Sequence, residues 1–463
     1  MFRLSVLRIT TITVMALASF ASSSRPQGNT YVLKGTVVTP NEAIEHGAVV
    51  VAGEKIVAVG RDVAVPAGAK IVETGGVILP GFVDLHNHLT WNVLPRWRTY
   101  REFGSRYDWQ QLPMYLIALV TPHAQLTAEK LGCAMNRYAE VKAITEGETS
   151  LVGSLNDRCI EGMARNLDFY TGFYGSGAFG KEKLRYEVFP LELDEKTVGA
   201  INQGLDTKEL TAFIVHIAEG KPTDASSARE FAAFKARGFL RPGVSIIHGV
   251  ALKQGDFHQM ADTSVGLIWA PRSNFELYGA TADVAAALRE HVTIALSPDW
   301  SPTGSQGMLE ELQFANTWSA GQSAPPFSAK ELVRMATEYP AQLAVASDKI
   351  GALKAGLYAD ILVLRSTKPD AYQSIVHANA EDVALAVING EPVYGTPAMM
   401  KALLPEEKFD TVTVCGADKA IYFGSANRLQ AVPAKTWKQT AEELNVALRE
   451  WGSSLSPLAD CSN

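Results

Sequence analysis

The chain has 463 residues, of which 47% are hydrophobic and 20% are charged, and its formal net charge is -7. This length exceeds what one small core occupies and predicts a large domain with a smaller companion. The chain holds no long run of Lys and Arg. It therefore lacks the concentrated basic patch with which proteins bind nucleic-acid phosphates, and we expect no nucleic-acid partner.

The N-terminus has the composition of a secretory signal peptide. Arg3 and Arg8 precede an uncharged apolar stretch from Ile9 to Phe20, and small residues cluster between Ala18 and Ser23. The apolar stretch is shorter than the ~20 residues that span a bilayer. We therefore predict a signal peptide over residues 1–24 and export to a periplasmic or secreted location, with no stable membrane anchor. An uncleaved N-terminal anchor is the alternative.

Four cysteines permit two disulfides in an exported chain, and the sequence does not fix their pairing. Proximity along the chain favours Cys133–Cys159 and Cys415–Cys461, with buried free thiols as the alternative. None of the four has the short paired spacing of a zinc–cysteine site. We therefore do not assign the cysteines to a metal.

Two β-rich segments flank a central region of different character. Short runs such as Ala48–Val51 and Val383–Ile388 alternate with turn residues, which is typical of strands in a small sheet. We predict that residues 28–76 and 352–400 join as one composite β-sandwich domain. Residues 401–463 are then a C-terminal extension without an assigned role.

In the central region, residues 77–351, strand-like runs alternate with helical patterns. The strand-like runs are 82–85, 149–155, 211–217, 244–250, 265–270 and 292–296, and the helical patterns are 129–145, 225–236, 282–290 and 309–318. The third and fourth strands are expected within Asp168 to Leu193. This alternation predicts an α/β fold, a parallel (β/α)₈ barrel of the TIM type. A doubly wound open sheet is the competing architecture.

Four predicted strands each run into a potential metal ligand. The first leads into His86 and His88, two others end at His216 and His248, and the last leads through Ser-Pro into Asp299. The carboxyl ends of parallel barrel strands open onto one face, so these side chains should converge. Imidazole and carboxylate groups bind Zn²⁺ and other divalent transition metals. Each residue alone could be a core histidine or a turn cap, but their agreement predicts a metal site.

Several motifs then resemble one family. Pro80–His88 resembles the first-strand signature of the amidohydrolase superfamily, and His216–Glu219 resembles the His-x-x-Glu element of its cytosine deaminase, guanine deaminase and triazine chlorohydrolase branch. Ala270–Asn274 is similar to that branch's Pro-x-Ser-Asn stretch, and Gly356–Leu364 to the segment that re-enters the β-sandwich. The motifs occur in the family's order over residues 31–395. The resemblance implies a (β/α)₈ barrel with a composite β-sandwich.

The resemblance also implies the roles of individual residues. Glu219 matches the proton-shuttling carboxylate and His248 the histidine that orients water or polarises the substrate. The chemistry of the residues adds that Asp299, beside a metal-activated water, can accept the water's proton. Residues 147–152, where binuclear members can carry a bridging lysine, contain no Lys or Cys. We therefore expect one divalent ion, Zn²⁺ before Fe²⁺. The metal ligands implied in this way are His86, His88, His216 and Asp299.

The sequence thus predicts an exported metal-dependent amidohydrolase that hydrolyses a carbon–nitrogen bond. The reaction would be deamination of an amino-heterocycle or cleavage of a cyclic or linear amide in a small-molecule substrate. The alternatives are a dechlorination-type displacement on a triazine-like ring and a non-catalytic metal- or ligand-binding barrel. Trp300, where smaller residues are usual, leaves the substrate class open. A homo-oligomer is compatible with the sequence.

A loop rich in aromatic and arginine residues follows the first strand. Its aromatic residues either pack the loop against the barrel, which we favour, or stack on a planar heterocycle. Its arginines either receive an anionic substrate or are solvated. The aromatic residues are Trp91, Trp97, Tyr100, Tyr107 and Trp109, and the arginines are Arg96, Arg98, Arg101 and Arg106.

Overall fold

The structure is a computed structural model that describes residues 30–153, 163–168, 184–424 and 435–461. The predicted signal peptide at residues 1–24 lies outside the described residues. The strands in the described residues are β1 (Thr30–Val38), β2 (Ala43–Ala52), β3 (Lys55–Gly60), β4 (Lys70–Pro80), β5 (Phe82–Asp84), β6 (Glu148–Leu151), β7 (Arg165–Asn166), β8 (Leu184–Glu187), β9 (Ala212–Ile217), β10 (Val244–His248), β11 (Gly266–Trp269), β12 (Ile294–Leu296), β13 (Ile361–Arg365), β14 (Val383–Ile388), β15 (Glu391–Gly395), β16 (Asp410–Val414) and β17 (Ala417–Ile421).

The helices lie mostly between the barrel strands. The α-helices in the described residues are Arg106–Trp109, Pro113–Tyr115, Thr121–Ala128, Gly132–Thr145, Glu195–Thr207, Ala225–Ala236, Gln254–Asp262, Pro271–Tyr278, Val284–Arg289, Met308–Ala320, Ala329–Ala336, Glu338–Leu343, Ala371–Val376, Pro397–Leu403 and Trp437–Glu450. A π-helical turn covers Leu116–Val120, and 3-10 turns cover Leu89–Val93 and Ala380–Asp382. Among these helices, none is long and apolar enough to cross a membrane.

The two β-rich segments form one mixed sheet. Its nine strands lie in the order β16-β17-β15-β14-β13-β4-β1-β2-β3. The N- and C-terminal parts meet where β13 pairs antiparallel with β4, with Leu362 opposite Leu79. The last two strands, β16 and β17, belong to the segment that the sequence analysis set apart as an extension of unassigned role. They continue the sheet because β17 pairs with β15.

Eight short parallel strands, β5 to β12, form the barrel. They are hydrogen-bonded as a three-stranded group, β5-β6-β7, and a five-stranded group, β8 to β12. A parallel bridge between Asn87 and Asp299 joins the ends of the first and last strands. The predicted (β/α)₈ barrel is confirmed, and the open doubly wound sheet is not the fold. The expected range for the third strand was wrong, because β7 precedes Asp168; this strand is two polar residues long and gives no hydrophobic run.

The cysteines and the C-terminal segment attach the chain end to the barrel. Cys415 and Cys461 form a disulfide, as chain proximity favoured. Cys133 is also disulfide-bonded, and its predicted partner Cys159 lies outside the described residues. In the barrel helix Gly132–Thr145, the buried ammonium of Lys142 donates to Oε1 of Gln306 at 2.5 Å and to Oγ of Ser456 at 2.7 Å. One buried cation therefore links a barrel helix, the loop after β12 and the C-terminal segment.

A buried ion pair joins the barrel to the mixed sheet. Arg165 of β7 donates through Nε to Oδ2 of Asp360 and through Nη2 to Oδ1, both at 2.9 Å. The backbone N–H of Asn389 donates to the same Oδ1 at 2.8 Å. Both charged side chains are buried. Such a bidentate pair fixes the relative position of two elements, and each charge depends on the other for solvation.

We expect Asp360→Asn to lower the free energy of unfolding by about 3 to 5 kcal/mol, because it leaves Arg165 as a buried cation without its counter-charge. Urea denaturation followed by circular dichroism measures the change. The matched control is Asp348→Asn, since the side chain of Asp348 is 74% exposed. Equal stability of the two variants would show that the ion pair does not hold the domains together.

Candidate active site

The strand-end residues selected from the sequence converge on one point at the carboxyl end of the barrel. Nε2 of His86 lies 3.0 Å from Oδ1 of Asp299, and Nε2 of His88 lies 3.5 Å from the same oxygen. Nε2 of His216 lies 3.1 Å from Nε2 of His86. The ring of His248 is centred 4.7 Å from that of His86. Parallel topology therefore brings together side chains that are far apart in the chain.

The backbone turns sharply where three of these strands end. His248 and Asp299 both have φ of 67°, and Ala218, between His216 and Glu219, has φ of 58°. L-residues rarely adopt this left-handed conformation, and where it occurs it marks positions that the surrounding structure constrains. The chain thus leaves its β conformation directly at the functional residues, which aims their side chains into the mouth of the barrel.

Burial favours the neutral form of three of the convergent imidazoles. Desolvation lowers the pKa of His86, His88 and His216, with further lowering from neighbouring histidines, although Asp299 opposes the shift at His88. Burial also raises the pKa of Asp299, although His248 and His88 oppose this shift. Neutral imidazoles present lone pairs, and a carboxylate presents oxygens, so the group suits a cation. Within the described chain, two overlapping groups could hold a metal ion: His86, His88 and Asp299, and His86, His216 and His248.

Three atoms of this cluster are buried without a hydrogen-bond partner among the described residues. They are Oδ1 of Asp299 and the Nδ1 atoms of His86 and His216. Buried polar atoms are nearly always paired, and an unpaired one needs an explanation such as an ion. Oδ1 of Asp299 is the atom on which His86 and His88 converge. A positive charge at this point would therefore satisfy the lone pairs of the converging nitrogen and oxygen atoms.

The helix Pro271–Tyr278 supports the cluster from one side. Oγ of Ser273 donates to Oδ2 of Asp299 at 2.6 Å, and Oδ1 of Asn274 lies 2.9 Å from Nδ1 of His248. Both residues belong to a motif noted in the sequence, which gave them no individual role. Their contacts fix one oxygen of Asp299 and the ring orientation of His248, as partners of ligating groups commonly do.

Asp84 supports the cluster from below. Its Oδ1 accepts the backbone N–H of His86 at 3.0 Å and the hydroxyl of Ser297 at 2.5 Å, and its Oδ2 accepts from Nδ2 of Asn87 at 2.7 Å. Burial raises the pKa of Asp84 to about 7, although the three hydrogen bonds favour the ionised form. Asp84 was part of the first-strand motif, but the sequence did not reveal that it joins β5 to the end of β12.

Glu219 lies at the same pocket, beside the cluster. The hydroxyl of Tyr278 donates to its Oε1 at 2.6 Å, whereas its Oε2 lies 3.6 Å from Nε2 of His248. Nη1 of Arg106 is 3.8 Å from Oε2. The sequence placed Glu219 and His248 in the site but missed Tyr278, which lies four residues after Asn274. Residues four apart share a helix face, so this spacing is the signal that could have found it.

Arg106 does not face solvent or a substrate. Its side chain is buried, and Nη2 donates to Oε1 of Glu230 at 3.2 Å. The hydroxyl of Tyr107 donates to the same oxygen at 2.6 Å. Oε2 of Glu230 accepts the backbone N–H of Ala218 at 2.6 Å. Both alternatives offered by the sequence for Arg106 were therefore wrong: this arginine belongs to an ion-pair network that supports the turn between His216 and Glu219.

A pocket of about 170 Å³ opens beside the cluster. Its polar lining residues include His88, His216, Glu219, His248 and Asp299. The rest of its wall is largely aromatic, with Trp91, Trp109, Tyr115, Phe189 and Trp300. Within the loop after β5, Trp97 is buried by packing and Tyr100 is 63% exposed. The loop's aromatic residues therefore divide between packing, lining the pocket and facing solvent.

Comparison with known proteins finds a family match and several similar proteins. Residues 205–393 match the amidohydrolase family. The chain is 25% identical over 431 residues to a 5-methylthioadenosine/S-adenosylhomocysteine deaminase from Pelotomaculum thermopropionicum, across 82% of this chain and 96% of that protein. Among solved structures, it is similar to a zinc-bound adenosine deaminase from Xanthomonas campestris, with a TM-score of 0.61, 18% identity and coverage of 80% and 93% of the two chains.

A second solved structure has the same fold. A mutant atrazine chlorohydrolase from Arthrobacter aurescens, complexed with zinc and atraton, gives a TM-score of 0.65 at 16% identity and covers 78% of this chain and 95% of its own. The amidohydrolase resemblance read from the motifs is confirmed, as is a TIM-type barrel with an attached sheet domain.

Proposed function

We propose that this chain, which carries an amidohydrolase family domain, is a metal-dependent deaminase of an amino-substituted, nucleoside-like heterocycle. The prediction of an enzyme that hydrolyses carbon–nitrogen bonds is confirmed, since the relatives are named deaminases. The observation that carries the narrower proposal is geometric. His86 forms one group of potential metal ligands with His88 and Asp299 and an overlapping group with His216 and His248, and Glu219 and His248 face the same aromatic-walled pocket.

The proposed metal ligands are His86, His88, His216 and Asp299, and their chemistry fits a divalent cation. Two neutral imidazole nitrogens lie 3.1 Å apart, and a buried carboxylate oxygen lies beside them without a hydrogen-bond donor among the described residues. A cation satisfies all of these lone pairs at once. Three nitrogens and one oxygen suit Zn²⁺ first and Fe²⁺ second. When bound, such an ion acidifies a water molecule, so that a nucleophile is available near neutral pH.

Three side chains of the protein carry out the proton transfers and the charge stabilisation. Asp299 accepts the proton of the attacking water, because Ser273 occupies only its Oδ2. Glu219 delivers a proton to a ring nitrogen or to the departing amine, with ammonia as the product. His248 donates through Nδ1 to Oδ1 of Asn274, which keeps Nε2 directed to the pocket. With both ring nitrogens protonated, Nε2 would stabilise the negative charge that develops on the attacking oxygen.

The aromatic wall of the pocket favours a planar substrate. Trp91, Trp109 and Trp300 offer ring faces and edges beside the proton-transferring groups, and aromatic rings bind flat heterocycles by stacking. The alternative of displacement on a triazine-like ring uses the same wall and the same site. Its support is the fold similarity to atrazine chlorohydrolase.

Export remains a proposal that rests on the N-terminal composition, with Arg3 and Arg8 before an apolar stretch. We expect the mature protein recovered from its host to begin shortly after residue 24, because a signal peptidase removes such segments. N-terminal sequencing of that protein measures this. Retention of Met1 in protein from the cell interior would contradict export.

We expect purified, zinc-loaded protein to release ammonia from amino-purine nucleosides. The reason is that the site combines a proton donor, Glu219, with an oxyanion-stabilising group, His248. The assay compares amino-purine nucleosides, other amino-heterocycles, chlorotriazines and linear or cyclic amides, with ammonia, chloride and free amine as readouts. Cleavage of amides alone would contradict deamination, and chloride release alone would favour the alternative.

The matched control for this assay is Glu219→Gln, which removes the proton donor with little change of shape. It should retain zinc while turnover falls by about 10² to 10⁴-fold, the range associated with a general acid or base. Unchanged turnover in this variant would remove Glu219 from the mechanism.

We expect Asp84→Asn to weaken zinc binding by about 10- to 100-fold, as loss of a group that orients a ligand commonly does. The amide would direct N–H donors at the backbone N–H of His86 or at Nδ2 of Asn87, which already donate. Competition with a zinc-binding dye measures the affinity. Glu140→Gln is the control, since Glu140 is a buried carboxyl bonded to Asn136 and Met163 instead. Equal affinity in both variants would contradict this role for Asp84.

A further inference from the structure

We infer that Tyr278 is a positioning residue for Glu219, and that Trp109 sets the direction in which the tyrosine hydroxyl donates. The inference rests on the proposed function, in which Glu219 transfers a proton. It concerns a chain of three buried side chains that runs from the pocket wall to the carboxylate. Their exposed fractions are 5% for Trp109, 1% for Tyr278 and 5% for Glu219.

The direction of this chain follows from hydrogen-bond chemistry. Nε1 of Trp109 lies 2.9 Å from the hydroxyl oxygen of Tyr278, and that oxygen lies 2.6 Å from Oε1 of Glu219. An indole N–H can only donate, so the hydroxyl oxygen must accept from Trp109. The hydroxyl proton is then directed at Glu219. A buried phenol that accepts one bond and donates another has a single orientation.

This contact makes the two carboxylate oxygens of Glu219 unequal. Oε1 is engaged by Tyr278, whereas Oε2 is 3.6 Å from Nε2 of His248 and 3.8 Å from Nη1 of Arg106. The terminal torsion of a glutamate has a broad, roughly twofold preference, so its two oxygens exchange readily unless one is held. Tyr278 holds one of them. Oε2 is therefore the oxygen that remains for proton transfer at the pocket.

The position of Tyr278 in the fold supports a dedicated role. It is the last residue of the helix Pro271–Tyr278, whose first turn carries Ser273 and Asn274. Those two residues bond to Asp299 and His248. The same helix therefore supports three of the polar groups at the pocket. The contact between Tyr278 and Glu219 also involves the short helix Arg106–Trp109, because Trp109 donates to the hydroxyl of Tyr278.

The test is a double-mutant cycle on the zinc-loaded enzyme. Tyr278→Phe should lower kcat by about 10- to 100-fold with KM and zinc content little changed, as expected for loss of a hydrogen bond to a charged group. In a Glu219→Gln background, Tyr278→Phe should cause little further loss. A positioning residue acts only through its partner, so the two effects are strongly non-additive.

Tyr394→Phe is the matched control, because its ring is also buried and its hydroxyl has no hydrogen-bond partner in the described part of the chain. It should leave kcat unchanged. Equal losses from Tyr278→Phe in both backgrounds would indicate a merely structural role and overturn the inference, as would an unaffected kcat. If Tyr278→Phe does not fold, Trp109→Phe replaces it in the cycle. Because Trp109 also lines the pocket, the change in substrate binding is read from KM, and the non-additivity with Glu219→Gln is expected in kcat with a smaller loss. A wild-type enzyme that turns over no compound would instead overturn the proposed function, and with it the role of Glu219.

Discussion

The carboxylate of Asp84 joins the first and last strands of the barrel, and the arrangement of the site depends on this junction. One oxygen accepts from the backbone of His86, at the end of β5, and from the hydroxyl of Ser297, at the end of β12. Beside it, Asn87 and Asp299 form the bridge that closes the seam. An open sheet would leave these two strand ends apart. Three hydrogen bonds offset part of the cost of burying this carboxyl group, and they fix the distance between the His86 and Asp299 side chains.

The helix Pro271–Tyr278 adds a second constraint from the opposite side. Ser273 and Asn274 hold Asp299 and His248 from its first turn, whereas Tyr278 reaches Glu219 from its last turn. The groups that would handle protons and charge are therefore oriented before any substrate arrives. Preorganised groups need little rearrangement during a reaction, which is where much of the advantage of an enzyme site over water comes from.

Residues that lie directly at strand ends could be predicted from the sequence, because the parallel barrel itself brings strand ends together. His216 and His248 were found in this way. The spacing from Asn274 could have drawn attention to Tyr278. The partners of Arg106 and Tyr278 could not be assigned, since they depend on how a loop and a helix pack across the barrel mouth. The same limit applies to the third strand: β7 consists of Arg165 and Asn166, and no alternation of apolar residues marks it. Arg165 is buried and forms an ion pair with Asp360, which lies 195 residues away in the chain. The sequence around Arg165 does not indicate this pairing.

Trp300 departs from the family's pattern and also shapes the pocket. It follows Asp299 directly, at a position where the family resemblance implied a smaller residue, and its indole N–H donates to Oγ1 of Thr303 at 2.5 Å. Its ring meets those of His88 and Trp109 at centroid distances of 5.7 and 6.1 Å. This substitution therefore adds an aromatic surface beside the proposed metal ligands. Among the described residues that line the pocket there is no Lys or Arg, since Arg106 is engaged with Glu230. A flat ring can stack on the aromatic surface that Trp300 adds to this wall.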